Sequence, residues 1–115
     1  AGQVQLQELD TYSKCVEALE SGSIDAVTTD NVILAGFAAQ AQYAGKLKVV
    51  GKTFSTERCG VGIKMGDTKL CNAINTSLAK MVTDGSWQKA LDATVGKSGF
   101  TPDTAVNPPK PDACA

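Results

Sequence analysis

The sequence predicts an α/β fold: a lobe built on a parallel sheet, followed by a crossing strand and a pair of C-terminal helices. Three observations carry that expectation. Between Val4 and Val50, short β-branched or alternating runs and helical stripes follow one another in the order β-α-β-α-β, with connections short enough for right-handed crossovers. After Gly51 the pattern changes to an extended connector, one more strand and two helices. Neither set makes a comfortable domain alone, so the chain reads as part of one lobe that then crosses to another.

Each element has a local reason. Val4 to Leu9 alternates apolar and polar residues, which suits a strand. Asp10 and Thr11 offer capping oxygens; Tyr12, Cys15, Val16 and Leu19 then share one helical face, and Gly22 supplies a left-handed stop. Ile24 to Thr29 is short, apolar and β-branched, as a buried parallel strand requires. Asp30 opens a helix with the stripe Ile33, Leu34, Phe37, Ala38 and Ala41, closed by Gly45, and Leu47 to Val50 makes the next strand. Lys52 to Arg58 is a connector, and Gly60 to Met65 alternates as the crossing strand. Gly66 and Asp67 turn the chain into a long helix with Leu70, Ile74, Leu78 and Met81 on one face. Gly85 ends it, and Ser86 caps a shorter helix carrying Trp87, Ala90, Leu91 and Val95. From Gly96 onward Gly, Pro and Lys dominate, giving an irregular tail.

The totals exclude several function classes. The net charge is −1 and the basic residues are scattered singly, which leaves no electrostatic footprint for nucleic acid. The apolar run from Val32 to Ala39 is too short to span a bilayer. The first residue is Ala1, which suggests a processed protein or a cut piece. There is no histidine, so Ser-His and Cys-His nucleophile pairs are ruled out. The four cysteines, Cys15, Cys59, Cys71 and Cys114, contain no close-spaced pair of the kind that binds zinc. Their even number and wide spacing read as two disulfides in an oxidising compartment, with four reduced thiols as the alternative. No metal, cofactor or enzymatic activity is expected.

The run Tyr12-Ser-Lys-Cys-Val-Glu-Ala-Leu-Glu-Ser-Gly-Ser-Ile-Asp-Ala-Val-Thr-Thr-Asp30 resembles the second lobe of extracellular solute-binding proteins for polar amino acids, the capture components of ABC transporters. There a helix ends in a glycine turn, and a strand of the type Ile/Val-Asp-Ala-Val delivers an aspartate to the cleft. The stretch KLKVVGKTFSTERCGVGIKMGD, Lys46 to Asp67, resembles the family's return from lobe two to lobe one, and DGSWQKAL, Asp84 to Leu91, its C-terminal helices. The resemblance covers about residues 3 to 100 and is similar in wording to glutamate- or glutamine-binding lipoproteins of actinobacterial type. It implies a two-lobed periplasmic-binding-protein fold of type II. Residues 1–56 would be part of lobe 2, 57–101 the return to lobe 1, and 102–115 a Pro-rich tail. It implies a polar amino-acid ligand of the glutamate, glutamine or aspartate class and a membrane permease as partner. The protein would then lie outside the cell, anchored through an N-terminal segment absent from this chain. The family's first lobe, its carboxylate-clamping arginine and its Gly-Thr loop are not in this sequence, so the missing N-terminal half becomes a further partner.

Asp30 is the leading site residue. It follows a strand at its carboxyl end, where open α/β sheets bind ligands, and its carboxylate suits the α-ammonium of an amino acid. The competing reading makes it only the N-cap of the following helix. Thr29 could add a hydroxyl to the ligand side chain or simply pack as a β-branched residue. Asp25 lies five residues earlier, roughly 16 Å along a strand, too far for a carboxylate dyad. Trp87 with Tyr12 and Tyr43 could suggest an aromatic box, but Trp87 has apolar partners at helical spacing and reads as a core anchor. Gly60, Gly62 and Gly66 lack the context of a phosphate loop. A rival function is a receiver-like phospho-acceptor domain, with Asp30 as acceptor and Glu8 and Asp10 imitating its acidic pair.

Four cysteines allow three pairings. Within the two-lobed frame, Cys71 with Cys114 would pin the tail to a helix of the returning lobe, which favours Cys15 with Cys59 as the second bridge.

Overall fold

Four α-helices form where the local signals are strongest. The computed structural model describes residues 2–114, and its chain divides into two units, Ala1–Lys52 and Thr53–Ala115.

In the first unit, α1 spans Tyr12–Glu20. Thr11 caps it: its hydroxyl accepts from the Lys14 N–H at 3.2 Å, satisfying a donor that has no carbonyl one turn back. The chain leaves α1 through Gly22, whose φ of 77° is left-handed and favours glycine. The next helix, α2, runs Asn31–Ala38 and is shorter than its stripe suggests. Beyond it the Gln40 N–H bonds back to Phe37 and the Tyr43 N–H to Gln40, so tight turns replace the helix before Gly45. Tyr43 is buried by this rearrangement. Tyr43 and Val16 of α1, each 3% exposed, are the buried hydrophobic side chains among the described residues. Lys46 donates to Glu20 and ties the turn after α2 to the end of α1.

In the second unit, α3 spans Thr68–Thr83 and α4 spans Ser86–Ala93. Asp67 caps α3, its carboxylate accepting from the Leu70 N–H at 2.9 Å. The cap of α4 differs from expectation. Ser86 lies inside the helix, Gly85 occupies the N-cap at φ 77°, and the Asp84 carboxylate accepts from both the N–H and the hydroxyl of Ser86. Those two hydrogen bonds hold the Asp84 carboxyl below its ordinary value. The α4 helix packs on α3 and on a 3₁₀ turn, Val95–Ser98.

The sheet is where structure and sequence part. No strand occurs among the described residues. The segments expected as strands, 4–9, 24–29, 47–50 and 60–65, run without ladder partners. A β-strand is completed by hydrogen bonds to a neighbour that its own sequence does not supply. Side chains that a covered parallel sheet would bury stand in solvent instead: Val4, Leu6, Val50 and Val61 are 93, 78, 77 and 66% exposed. The α2 helix, Asn-Val-Ile-Leu-Ala-Gly-Phe-Ala, is apolar on every side yet has no fully buried residue. A helix of that composition belongs in an interior.

Candidate functional site

Asp30 occupies the N-cap of α2, as its position predicts, but does not do an N-cap's work. Its backbone is set at φ −55° and ψ 137°, and its carboxylate makes no cap hydrogen bond. The backbone carbonyl alone is used, accepting from the Leu34 N–H at 3.1 Å. The carboxylate is exposed, beside the first turn of a helix that carries no acidic residue of its own there. The partial positive charge of that helix end suits an anion. A side chain in this state retains all its acceptor capacity for a cation. Thr29, immediately before it, is half-buried.

The chain leaves α1 through a hydrogen-bonded turn six residues before Asp30. The N–H groups of Ser23 and Ile24 both bond to the Ala18 carbonyl, at 2.9 and 3.4 Å, and the Ser21 and Ser23 hydroxyls pair at 3.0 Å. This folds the chain back along α1 before Asp25, which is exposed.

The remaining candidates separate. Trp87 is half-buried and its indole N–H donates to Asn107 Oδ1 at 2.8 Å, fastening the tail to α4. Tyr43 is buried and Tyr12 half exposed, both in the other unit. A hollow of about 200 Å³ is lined by residues 63–68 and Cys71, and neither Asp30 nor Thr29 contributes to it. An adjoining hollow of about 330 Å³, lined by residues 64–67, lacks them too. Of the acidic pair that the receiver reading needs, Asp10 is engaged by Lys14 Nζ at 2.6 Å, which lowers its carboxyl from the ordinary value. Among the described residues no three Asp, Glu, Cys or His side chains converge. Nothing favours the receiver alternative.

The cysteines divide as well. Cys71 and Cys114 are bonded, with Cα atoms 6.0 Å apart, inside the range that a disulfide tolerates. Cys15 and Cys59 carry free thiols, so the structure contains one of the two expected bridges. Cys15 lies on α1 and Cys59 on the irregular segment of the other unit. A bridge needs Cα atoms held within about 7 Å, and spacing along the chain cannot establish that.

Sequence reasoning missed the polar cluster around the one bridge. The Arg58 guanidinium meets Asp112 two-pronged, Nη1 to Oδ2 and Nη2 to Oδ1, each at 3.0 Å. The Asn75 amide donates to the Asp112 carbonyl at 2.8 Å and to Cys114 Sγ at 3.5 Å. The signal was indirect: once Cys71 joins Cys114, the residue one helical turn after Cys71 and the residue two before Cys114 must come together.

No protein-family model and no solved structure matches the chain. Curated relatives do. The glutamate-binding protein GluB of Corynebacterium efficiens is 48% identical over 99 residues, 82% of this chain and 33% of that protein. The protein of the same name from Corynebacterium glutamicum is 46% identical over 99 residues, again 82% of this chain and 33% of its own length. The ABC transporter glutamine-binding protein GlnH of Bacillus subtilis is 37% identical over 89 residues, 77% of this chain and 32% of that protein. The chain thus spans about a third of the length of the curated relatives it matches.

Proposed function

Because this chain is related over 77–82% of its length to amino-acid-binding proteins of ABC transporters, we propose that its parent is the substrate-binding component of an ABC importer. The parent captures an amino acid of the glutamate, glutamine or aspartate class between two lobes and delivers it to a membrane permease. Its relatives are named for binding, not for catalysis, and the parent binds without converting its ligand. Asp30 pairs with the ligand ammonium through a charge-assisted hydrogen bond, and Thr29 offers its hydroxyl nearby. The observation that carries the site is the Asp30 carboxylate, which stands at a helix N-cap, exposed and without the cap bond expected there.

On this reading the chain is the C-terminal portion of a type II two-lobed fold, with residues 1–56 in lobe 2, 57–101 returning to lobe 1 and 102–115 a tail. The exposed apolar positions of segments 4–9, 47–50 and 60–65 and the apolar α2 support it, since strands and helices of this kind need partners to cover them. The parallel sheet forms when the rest of the parent supplies those partners. Lobe closure provides transport specificity, because the ligand's contacts to both lobes exist only in the closed state. The parent works outside the cell, held by an anchor in its N-terminal region. Calorimetric titration of the intact parent with a panel of amino acids tests the reading. Tight binding confined to glutamate, glutamine or aspartate is expected; binding of none of the panel would refute it.

A further inference from the structure

The end of the chain is fastened at two levels. Asn107 is held by Trp87, and beyond it the Cys71–Cys114 bond ties the last described residues to α3. Between these anchors lies Asp112, whose carbonyl rests on Asn75 of α3 and whose carboxylate grips Arg58. Arg58 belongs to the stretch 55–64, which has no helix or turn, and is followed at once by the exposed thiol Cys59. The Arg58 and Asp112 side chains are themselves 71 and 75% exposed. An ion pair that open to water cannot hold a flexible tail and an irregular segment together by its own strength. What maintains it is proximity: the covalent bond two residues away keeps Asp112 at a high effective concentration near Arg58.

We propose that residues 108–114 form a redox-controlled latch, in which the closed Cys71–Cys114 bond holds Asp112 on Arg58 and its reduction releases the segment carrying Arg58 and Cys59. A dithiol reductant opens it. One of its thiolates attacks a sulfur of the bridge, the Cys71–Cys114 bond breaks, and a mixed disulfide forms with one cysteine while the other leaves as a thiolate and takes up a proton. The second thiol of the reductant then displaces the remaining cysteine. Two electrons and two protons pass to the protein, which ends with two thiols, and the reductant ends as a disulfide. The latch is independent of which ligand the parent protein takes.

The test uses the full chain with Cys15→Ser, so that a maleimide fluorophore attaches at Cys59 through a thioether that dithiols do not cleave. The readout is the slow, restricted component of its anisotropy decay, recorded before and after dithiothreitol, with and without Asp112→Asn. The latch predicts that reduction abolishes the restricted component in the Asp112 protein. Asp112→Asn abolishes it with the bridge still closed, and reduction of that variant then changes nothing more. Reduction that loosens the label equally in both proteins would mean general unfolding and would overturn the proposal. A label unmoved by reduction, or unmoved by Asp112→Asn, would overturn it too.

Discussion

Replacing both Cys71 and Cys114 with serine is expected to lower the melting temperature of the helices of the second unit. The bond joins residues 43 apart in sequence. In the chain-entropy description, closing a loop of that length removes about 13 cal/mol/K from the unfolded ensemble, or about 4 kcal/mol at 25 °C. Against this stands a small reserve. Among its described residues the unit Thr53–Ala115 has no buried apolar side chain; Ile74, Leu78, Met81, Trp87 and Leu91 are only half-buried. Domains of this size seldom hold more than about 3–5 kcal/mol in a core. Loss of the bond therefore removes a large share of the unit's stability and leaves the core's own reserve to keep it folded at 25 °C, while any cooperative transition should fall by roughly 15–30 °C. Far-UV circular dichroism of the oxidised chain, the dithiol-reduced chain and the double serine variant follows α3 and α4 directly. Identical melting curves for all three would refute the reasoning.

Other outcomes follow from the same physics. Non-reducing peptide mapping after alkylation should recover Cys71 joined to Cys114, with Cys15 and Cys59 both alkylated; a Cys15–Cys59 peptide would contradict the structure. The 115-residue chain by itself should bind glutamate or glutamine weakly or not at all in calorimetry, since neither hollow described is lined by Asp30 or Thr29; micromolar affinity would show that the site is misplaced. Asp67→Ala should destabilise α3 by about 1 kcal/mol through the lost cap, measurable as reduced helicity on urea titration, whereas an unchanged midpoint would deny the cap its role. The Asp84 carboxyl is depressed by its bonds to Ser86, so its contribution is present above the ordinary carboxylate range and is lost as pH falls through the lowered value. Acid titration of α4 helicity should therefore shift in Asp84→Asn, and an unshifted curve would exclude that contribution.

How much of this was legible in the sequence depended on how local each interaction is. Thr11 could be read as a cap because it bonds three residues ahead, and Gly22 and Gly85 as stops because a left-handed turn is a property of one residue. The end of α2 was less legible, since the apolar stripe runs on to Ala41 while tight turns replace the helix after Ala38. The strands were legible only as tendencies. Val4, Leu6 and Val50 have strand character, but a ladder needs a neighbour, and this third of the relatives' length does not pair them. Cys71–Cys114 was legible because a tail without apolar periodicity needs a tether, while the partner of Cys15 depended on a distance that sequence does not encode. Asp30 was proposed from its place after an expected strand and from the family resemblance, and its unused carboxylate emerged only with the backbone in place.

The central claim is that Asp30 holds the ligand ammonium in the parent protein, and substitution to asparagine tests it most directly. Asp30→Asn keeps the shape and removes the charge. Breaking a buried charge pair of this kind costs on the order of 2–4 kcal/mol, a loss of about 30-fold to about 900-fold in affinity. Isothermal titration of the intact parent with its preferred amino acid should show that loss, with circular dichroism unchanged. Affinity equal to that of the Asp30 protein would contradict the assignment.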